Sequence, residues 1–492
     1  MSTQDSGADS TADANNELWT AHMKQGQRHF QEGKMRAAAM SFKEATDSFP
    51  TRVAGWINLS SALLEAKQFD SAARVSSNAI KLNPNLMHPH MILGDALRLM
   101  GKPAAALQSY EKAVELERNP AALNKLACVL RGKSKIDEAK ALYLEAIELA
   151  PDFSLAKINL ATLELEADEI ASAKERLDSL VTQNLPFHEE YEVKMAQRAL
   201  SQREHLGDAI SKLVTDTDFA TLEDSLRTMP GMEGPVDDEI AASLQACAAS
   251  AKALATTVTA QSENNALPDE WPRIEALFTI PVCSSVSDYI ATKASLANRE
   301  TLDPQVALAL QVEKAVETAR LAEGKLKNAF ATEVHLRHWH SLSCQQQPGI
   351  YPGHFKYTRY WVPNEPTRRR GEPALCSATL RQFLNDGLEP LPPGVARAAA
   401  LLMAMSEIHL FADGNTRTSI TWMNRELEWA GMLPALFPLG TGLRDQLKYA
   451  MAQVRERNGD LKPMVKVIEQ GQQFTREFLQ ELGGGGGDRP RF

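Results

Sequence analysis

Cysteines and long apolar runs are scarce in this chain of 492 residues, and basic residues are outnumbered by acidic ones. Lys and Arg number 53 against 63 Asp and Glu, which gives a net charge of −10. That balance argues against sequence-independent nucleic-acid binding, because such binding needs a basic face. No apolar run approaches the length that crosses a bilayer. We therefore expect no nucleic-acid partner and no membrane span.

The five cysteines are widely scattered and form no CxxC pair. Zinc sites need closely spaced cysteines, and a disulfide framework needs an even number of them. The pattern therefore predicts reduced thiols in a cytoplasmic compartment. Residues 1–16 contain no apolar segment of the kind that a secretory signal needs. Secretion of the chain as an effector, by a route that needs no such signal, stays open.

A period near 34 residues follows the polar residues 1–16, which we predict to be disordered. Small residues recur in register, and two helices that cross closely need small residues at the crossing. The recurring positions are Gly26, Ser60, Gly94, Ala127 and Ala161, then Ala38, Ala72, Ala106, Ala139 and Ala173, then Ala45, Ala79, Ala113 and Ala146. They resemble the tetratricopeptide repeat, in about five copies over 17–186. The resemblance implies an α-solenoid with a concave surface for a peptide or protein partner.

The rest of the chain is mostly helical in pattern. Residues 187–290 are predicted to be a helical linker region, and 291–475 a helical domain with one exception. The stretch GHFKYTRYWV, at 353–362, is rich in aromatic and β-branched residues and predicts a strand or hairpin. Residues 476–492 are predicted to be a flexible, Gly-rich tail.

The stretch HLFADGNTRTSI begins at His409 and joins two apolar helical patterns. Gly414 allows the positive φ of a tight turn, and a helix predicted to start near Thr416 offers free backbone N–H groups to an anion. Arg417 places a positive charge in that first turn, where the helix dipole alone would disfavour it. An anion bound between the N–H groups and Arg417 explains this placement.

Two further side chains of this stretch suit chemistry on a phosphate. Asp413 is a hard oxygen ligand of the kind that Mg²⁺ uses beside phosphates. His409, with an ordinary pKa of about 6.5, can accept a hydroxyl proton near neutral pH. The combination predicts transfer of a phosphorus-containing group onto a hydroxyl. An ordinary turn between helices is the alternative, because DGN is common in turns.

These residues also resemble the signature of the Fic family, HxFx(D/E)GNGRxxR, and the resemblance covers about 291–475. The matching positions are His409, Phe411, Asp413, Gly414, Asn415 and Arg417. Upstream, PGHFKYTRYWV resembles the family's flap, with Lys356 where an Arg is usual. The fold implied is mostly α: a tetratricopeptide α-solenoid followed by an all-helical Fic domain with a small β-hairpin flap.

The function that the resemblance implies is transfer of AMP from ATP to a Ser, Thr or Tyr hydroxyl of a protein. His409 would be the general base, and Asp413 would hold Mg²⁺. The phosphates would bind at Gly414, Asn415, Thr416 and Arg417. The flap residues Phe355, Lys356, Tyr357 and Thr358 would hold the protein substrate as an added strand.

Two positions depart from the family pattern: Thr416 replaces the second Gly of the signature, and Ile420 replaces its final Arg. Thr416 adds a side chain at the anion site, where the phosphate-transferring branch of the family has Lys. Ile420 removes a cation expected at the γ-phosphate. The alternatives are therefore transfer of another phosphorus-linked group (another nucleoside monophosphate, phosphocholine or phosphate) and an inactive Fic domain on a tetratricopeptide adaptor.

The family often has an inhibitory helix, (S/T)xxxE(G/N), whose Glu pairs with the final Arg. The alignment that we favour starts at Thr292 and places Leu296 at the Glu position, so both partners would be absent. A second alignment makes Glu323 the inhibitory residue. We expect no metal site at HLRHWH, 335–340. We expect Arg368 to Arg370 to lie in a solvated loop, with a contact to phosphate or to an acidic target as the alternative.

Overall fold

The computed structural model describes residues 6–133, 135–181, 183–255, 266–296, 302–321, 329–345, 351–356, 361–362 and 365–484. Contacts within the chain divide it into two units. The first, here called the repeat unit, is Met1–Val193 with Trp361–Arg369, and the second, here called the site unit, is Lys194–Tyr360 with Arg370–Phe492. Among the described residues, no helix has both the length and the apolar character needed to span a bilayer.

The repeat unit contains five consecutive helix pairs. The helices are α1 Ser6–Gln31, α2 Met35–Ser48, α3 Val53–Glu65, α4 Phe69–Leu82, α5 Met87–Leu99, α6 Pro103–Leu116, α7 Pro120–Gly132, α8 Ile136–Leu149, α9 Ser154–Glu166 and α10 Ile170–Val181. The predicted helical solenoid is confirmed. The alanines of the second and third recurring positions are fully buried, as Ala106 and Ala113 illustrate.

Packing explains why a small residue recurs at the first of these positions. A Cβ added to Gly94 would lie 2.6 Å from the ring of Tyr110, and one added to Gly26 would lie 2.5 Å from the ring of Phe42. Each aromatic ring therefore packs directly on the backbone of the preceding helix, and a side chain on that helix would displace it.

The site unit is built from twelve helices within the described ranges, the first of which begins in the repeat unit. They are α11 Phe187–Asp216, α12 Phe219–Thr228, α13 Asp238–Ala255, α14 Trp271–Thr279, α15 Val286–Ser295, α16 Pro304–Leu321, α17 Ala329–Ser343, α18 Cys376–Gln382, α19 Val395–Ile408, α20 Asn415–Trp429, α21 Leu443–Glu456 and α22 Lys462–Gly484. A 3₁₀ turn at Pro373–Leu375 precedes α18, and a π-helical turn at Phe383–Leu388 follows it. Helix α19 runs through the middle of the core, with Ala398, Ala399 and Ala400 fully buried.

The region expected to be a linker belongs to this core. Ile240, Leu244 and Cys247 of α13 lie in the same hydrophobic cluster as the residues of α19. Apolar spacing in the sequence predicts that a helix has a buried face, but it does not indicate which core that face joins. The linker prediction for 187–290 is therefore corrected: the region is helical, and from Lys194 onward it belongs to the site unit.

A short antiparallel strand pair is present, and only its first strand lies within the predicted stretch 353–362. Strand β1 is Trp361–Val362 and β2 is Glu365–Arg369, with Trp361 opposite Arg369. Gly353 takes a positive φ of 80° in a turn, and residues 354–356 lie in irregular backbone. The N–H of Lys356 donates to the carbonyl of Leu410, so this segment bonds to a loop. That a hairpin here acts as a flap stays a prediction.

Both ends of the chain are more helical than expected. Helix α1 includes residues 6–16, because alanine favours helix and extending a formed helix costs little. Helix α22 continues to Gly484, since Phe478 on it is buried against Phe278 with ring centres 5.2 Å apart. The flexible-tail prediction therefore fails for 476–484, and the rest of the tail lies outside the described residues.

Candidate anion-binding active site

Helix α19 ends at Ile408, and the next residue, His409, takes the left-handed backbone conformation with φ 54° and ψ 65°. This conformation terminates helices and is usually taken by glycine. The N–H of His409 still donates to the carbonyl of Met405 at 3.0 Å. The Lys356 ammonium donates to the carbonyl of Ile408 at 2.7 Å, so a cation satisfies one of the last carbonyls of the helix. His409 is thus held where the helix ends, as predicted.

The anion loop, residues 410–416, turns at Gly414 and leads into α20, which begins at Asn415. Gly414 has a φ of 79°, which confirms the positive φ expected there. A Cβ at this position would also lie 2.6 Å from the Sγ of Cys344 and 3.1 Å from Cδ2 of His340. The turn therefore requires glycine for its backbone conformation and for its packing.

Asn415 closes the loop with its side chain. Its Oδ1 accepts from the N–H of Phe411 at 2.9 Å, and its Nδ2 donates to the carbonyl of the same residue at 2.7 Å. Both ends of the amide are therefore engaged within the loop. Asn415 was expected to bind phosphate, and its backbone N–H at the start of α20, rather than its side chain, suits that task.

Arg417 is almost fully buried, with 8% of its side chain exposed, whereas Asp413 is 60% exposed. The guanidinium donates to the Sγ of Cys344 at 2.9 Å and lies 3.5 Å from the Asp413 carboxylate. These contacts help to fix the cation, and the carboxylate faces solvent, where a hard metal ion could reach it.

The electrostatics of His409 favour the neutral imidazole. Burial lowers its pKa to about 3, and the positive charges of Lys356 and Arg370 act in the same direction. Burial also lowers the pKa of Lys356 to about 8. A neutral imidazole carries the lone pair that a general base needs.

A cavity of about 610 Å³ opens beside His409. Its lining includes Asn415, Thr416 and Ser419 at the start of α20, and an apolar wall made by Leu402, Met405, Ile420, Phe437, Leu447 and Met451. Ile420 is buried, with 3% of its surface exposed, and belongs to the core cluster. Volumes of this size accommodate nucleotide-sized ligands.

Three cations line the same cavity. Arg370 donates to the carbonyl of Ser406 at 2.6 Å. Arg444 donates to the carbonyls of Phe437, Phe278 and Thr279. Lys448 is 79% exposed beside Asp445. Arg370 is thus at the cavity, as in the alternative that gave it a phosphate contact, while sequence reasoning missed Arg444 and Lys448.

His340 lies directly under the anion loop. Its ring stacks on Phe411 with centroids 3.7 Å apart, while Phe411 meets the ring of Phe355 edge-on at 5.2 Å. Gly353 donates its N–H to the Nδ1 of His340, so His340 also contacts the segment that begins at Gly353. His335 and His338 instead contact Phe219. Within the described ranges, no group of three metal-ligating side chains is present.

Several predicted residues do not line this cavity. Tyr357, Thr358 and Glu323 lie outside the described residues. Leu296, which follows α15, is not among the lining residues, and neither are Phe355, Lys356, Asp413, Gly414 and Arg417. Cys344 is a contact that sequence reasoning missed. Its spacing is the sequence signal that could have identified it, because residues four apart lie on the same face of a helix and Cys344 is four residues after His340.

Comparison with known proteins finds two family matches within the chain. Residues 330–427 match the model of the Fic/DOC family, and 23–86 and 92–152 match the model of the tetratricopeptide repeat. Human protein O-mannosyl-transferase TMTC3 is 27% identical over 183 residues, which are 33% of this chain and 20% of that protein. Small glutamine-rich tetratricopeptide repeat-containing protein 2 of Saccharomyces cerevisiae is 28% identical over 93 residues, 19% of this chain and 27% of that protein. The chain thus spans about a fifth and about a quarter of the lengths of these relatives.

Solved structures with similar helical arrays include a MamA protein and pilF of Pseudomonas aeruginosa. The first has a TM-score of 0.31 at 20% identity and covers 35% of this chain and 98% of MamA. The second has a TM-score of 0.35 at 16% identity and covers 44% of this chain and 95% of pilF. The family matches and the helix pairs lead to one conclusion: this chain carries a Fic/DOC family domain behind tetratricopeptide repeats.

Proposed function

We propose that the site unit is a Fic-type nucleotidyltransferase that moves AMP from ATP to a Ser, Thr or Tyr hydroxyl of a protein. The observation that carries the proposal is the shared cavity of His409 and the start of α20. A neutral imidazole can accept the proton of a hydroxyl, and a helix N-terminus beside the same cavity can bind a phosphate. The two reactants would then be held next to each other.

In the proposed reaction, His409 accepts the proton of the target hydroxyl. The hydroxyl oxygen then forms a bond to the α-phosphorus, and the bond from that phosphorus to the bridging oxygen breaks. Pyrophosphate leaves with the electron pair of the broken bond. The backbone N–H groups at the start of α20 and the guanidinium of Arg417 would hold the phosphate oxygens.

The donor set at Asp413 fits Mg²⁺, because a solvent-facing carboxylate beside a phosphate site is what this ion uses. When bound there, Mg²⁺ would neutralise charge on the phosphates. The contribution of the chain itself is to hold the carboxylate 3.5 Å from Arg417 and so place both charges on one side of the loop.

The protein substrate would lie along the segment after Gly353. Lys356 bonds to Leu410 through its backbone, and Phe355 packs on Phe411, so this segment adjoins the anion loop. A target strand added there would bring its hydroxyl to His409. The repeats would recruit that protein, or another peptide partner, and the five free cysteines support a cytoplasmic setting.

A second donor class is favoured by one observation. Ile420, where the family has its final Arg, is buried in an apolar wall with Leu402 and Met405. The Ile420 side chain offers no charge to a γ-phosphate, unlike the Arg that the family has at this position, so a donor with only two phosphates, such as a CDP-linked one, is the second candidate. An Ile420→Arg variant should shift donor preference toward ATP under this alternative.

The test is a labelling assay with ATP labelled at the α- or the γ-phosphate, and with labelled CDP-choline and other nucleotides in parallel. AMP transfer predicts label from the α-position that disappears in His409→Ala. Label from the γ-position alone would indicate phosphate transfer. No His409-dependent label from any donor would overturn the proposal and favour an inactive domain on an adaptor.

Restraint by an intramolecular Glu is tested in the same assay. If Glu323 obstructs the donor site, Glu323→Gly should raise labelling strongly. If the alignment through Leu296 holds, Glu323→Gly should change nothing, and Leu296→Glu should lower labelling only in a chain that also carries Ile420→Arg.

A further inference from the structure

The C-terminal end of α17 contacts the anion loop through two residues that lie outside the sequence motif. His340 and Cys344 are one helical turn apart, and both are fully buried. Each approaches the Cα of Gly414 so closely that a Cβ there would meet it. The loop therefore rests on these two side chains.

The hydrogen bonds of His340 define its tautomer. Nδ1 accepts from the N–H of Gly353 at 3.0 Å, so Nδ1 carries no proton. The proton is therefore on Nε2, which lies 3.0 Å from the carbonyl oxygen of Asp413 and donates to it. One imidazole thus joins the segment at Gly353 to the backbone that carries the Asp413 carboxylate.

Cys344 acts on the other side of the turn. Its Sγ accepts from the guanidinium of Arg417 at 2.9 Å, and Arg417 also lies 3.5 Å from Asp413. His340 fixes the backbone of Asp413, and Cys344 fixes the cation that faces its carboxylate. Asp413 of the anion loop and Arg417 in the first turn of α20 are therefore held by two residues at and just after the C-terminal end of α17.

We propose that His340 and Cys344 are positioning residues, which set the anion loop to bind a Mg²⁺-diphosphate group. The inference rests on the proposed function and concerns its donor site. Neither residue lines the cavity beside His409, so each acts through Asp413, Gly414 or Arg417. Such supporting contacts commonly change ligand affinity by about 10- to 100-fold when they are removed.

The experiment measures binding of inorganic pyrophosphate with Mg²⁺ by isothermal titration calorimetry on the full chain. His340→Asn keeps an acceptor near Nδ1 for Gly353 and loses the bond to Asp413. We expect it to weaken binding about tenfold. His338→Asn is the matched control, since His338 is also buried on α17 but contacts Phe219. It should bind as the wild type does.

Cys344→Ala and Cys344→Ser test the second contact. The alanine variant removes the acceptor for Arg417 and should weaken binding about threefold or more, whereas serine restores an acceptor and should recover most of the affinity. Melting temperatures of all variants are measured alongside, so that a variant that fails to fold is recognised. If His340→Asn fails to fold, the inference is tested by comparing the affinities of Cys344→Ala and Cys344→Ser for pyrophosphate.

The outcomes separate this inference from the proposed function. Equal loss of affinity in His340→Asn and His338→Asn, or no difference between alanine and serine at 344, would overturn the positioning role. So would a wild-type chain that does not bind the probe. Wild-type binding that depends on His340, together with no label from any donor, would leave the positioning role standing and reject the transferase.

Discussion

The repeat unit and the site unit are both helical, but they bury different kinds of residue. In the repeat unit, alanine is the most frequent buried residue and buried charged side chains, such as Asp95 and Glu164, are few, while each helix packs mainly on its sequence neighbours. In the site unit, the buried residues include Glu275, Arg337, Arg397, Asn424 and Glu426. Buried polar groups need specific partners, so this unit depends on contacts between distant parts of the chain. Regular packing suffices for a scaffold, whereas a site needs fixed polar geometry.

The largest expected effect is on the rate of labelling, which should depend on a histidine of the site unit and not on one of the repeat unit. His409→Ala should lower the rate of labelling by about a thousandfold, the usual range for loss of a general base. The same change at His188, an exposed residue of the repeat unit, should leave the rate unchanged. Label transfer under single-turnover conditions measures both. Equal rates for His409→Ala and the wild type would show that His409 is not the general base.

The next effect tests the buried polar contacts of the site unit. Asn424 donates to Glu275 at 2.8 Å and accepts from the N–H of Ala435 at 2.9 Å. Asn424→Ala leaves both groups without this partner and should lower the free energy of unfolding by about 3–5 kcal/mol. Asn159→Ala, which removes a half-buried bond to Asn124 in the repeat unit, should cost about 1 kcal/mol. Urea titrations provide both values, and similar losses would contradict the contrast.

Acid should destabilise the site unit through its histidines. Burial lowers the pKa of His340 and of His409 to about 3, below their usual 6.5. Between those values the unfolded chain takes up protons that the folded chain does not, so stability present above pH 6.5 is lost as pH falls toward 3. From pH 7 to 5.5 each imidazole should cost about 1 kcal/mol.

Hydrogen exchange resolved along the chain measures this loss for the site unit. Glu275, whose pKa burial raises, acts in the opposite direction. His340→Phe is therefore the informative comparison, because it should remove about half of the acid sensitivity that the two imidazoles contribute. An unchanged pH dependence in that variant would exclude His340 as a cause.

The smallest expected effect concerns the packing of the repeats. Gly94→Ala places a Cβ 2.6 Å from the ring of Tyr110 and should cost about 1–2 kcal/mol through overpacking. Gly132→Ala is the matched change at a helical glycine with no atom near the new Cβ, and it should be neutral or stabilising by about 0.5 kcal/mol. Melting temperatures check both, and labelling by His409 should persist in each.

The sequence predicted the repeat unit more fully than the site unit for a physical reason. Repeat contacts are local, so the register of Ala106 and Ala113 along the chain is itself the packing pattern. At the site, the motif predicted the helix end at His409 and the positive φ of Gly414. It did not predict the contacts of His340, whose bond to Asp413 spans 73 residues. Nor did it predict that the side chain of Asn415 is used inside the loop, since a motif indicates residue types and not their partners.

The backbone of His409 has a consequence for the evolution of this protein. A non-glycine residue in the left-handed region costs about 1 kcal/mol, and glycine would remove that cost. His409→Gly should therefore produce a chain that unfolds at a higher temperature and transfers nothing. Selection for stability alone would drive this position away from histidine, so an active lineage must continually select for the reaction to retain it.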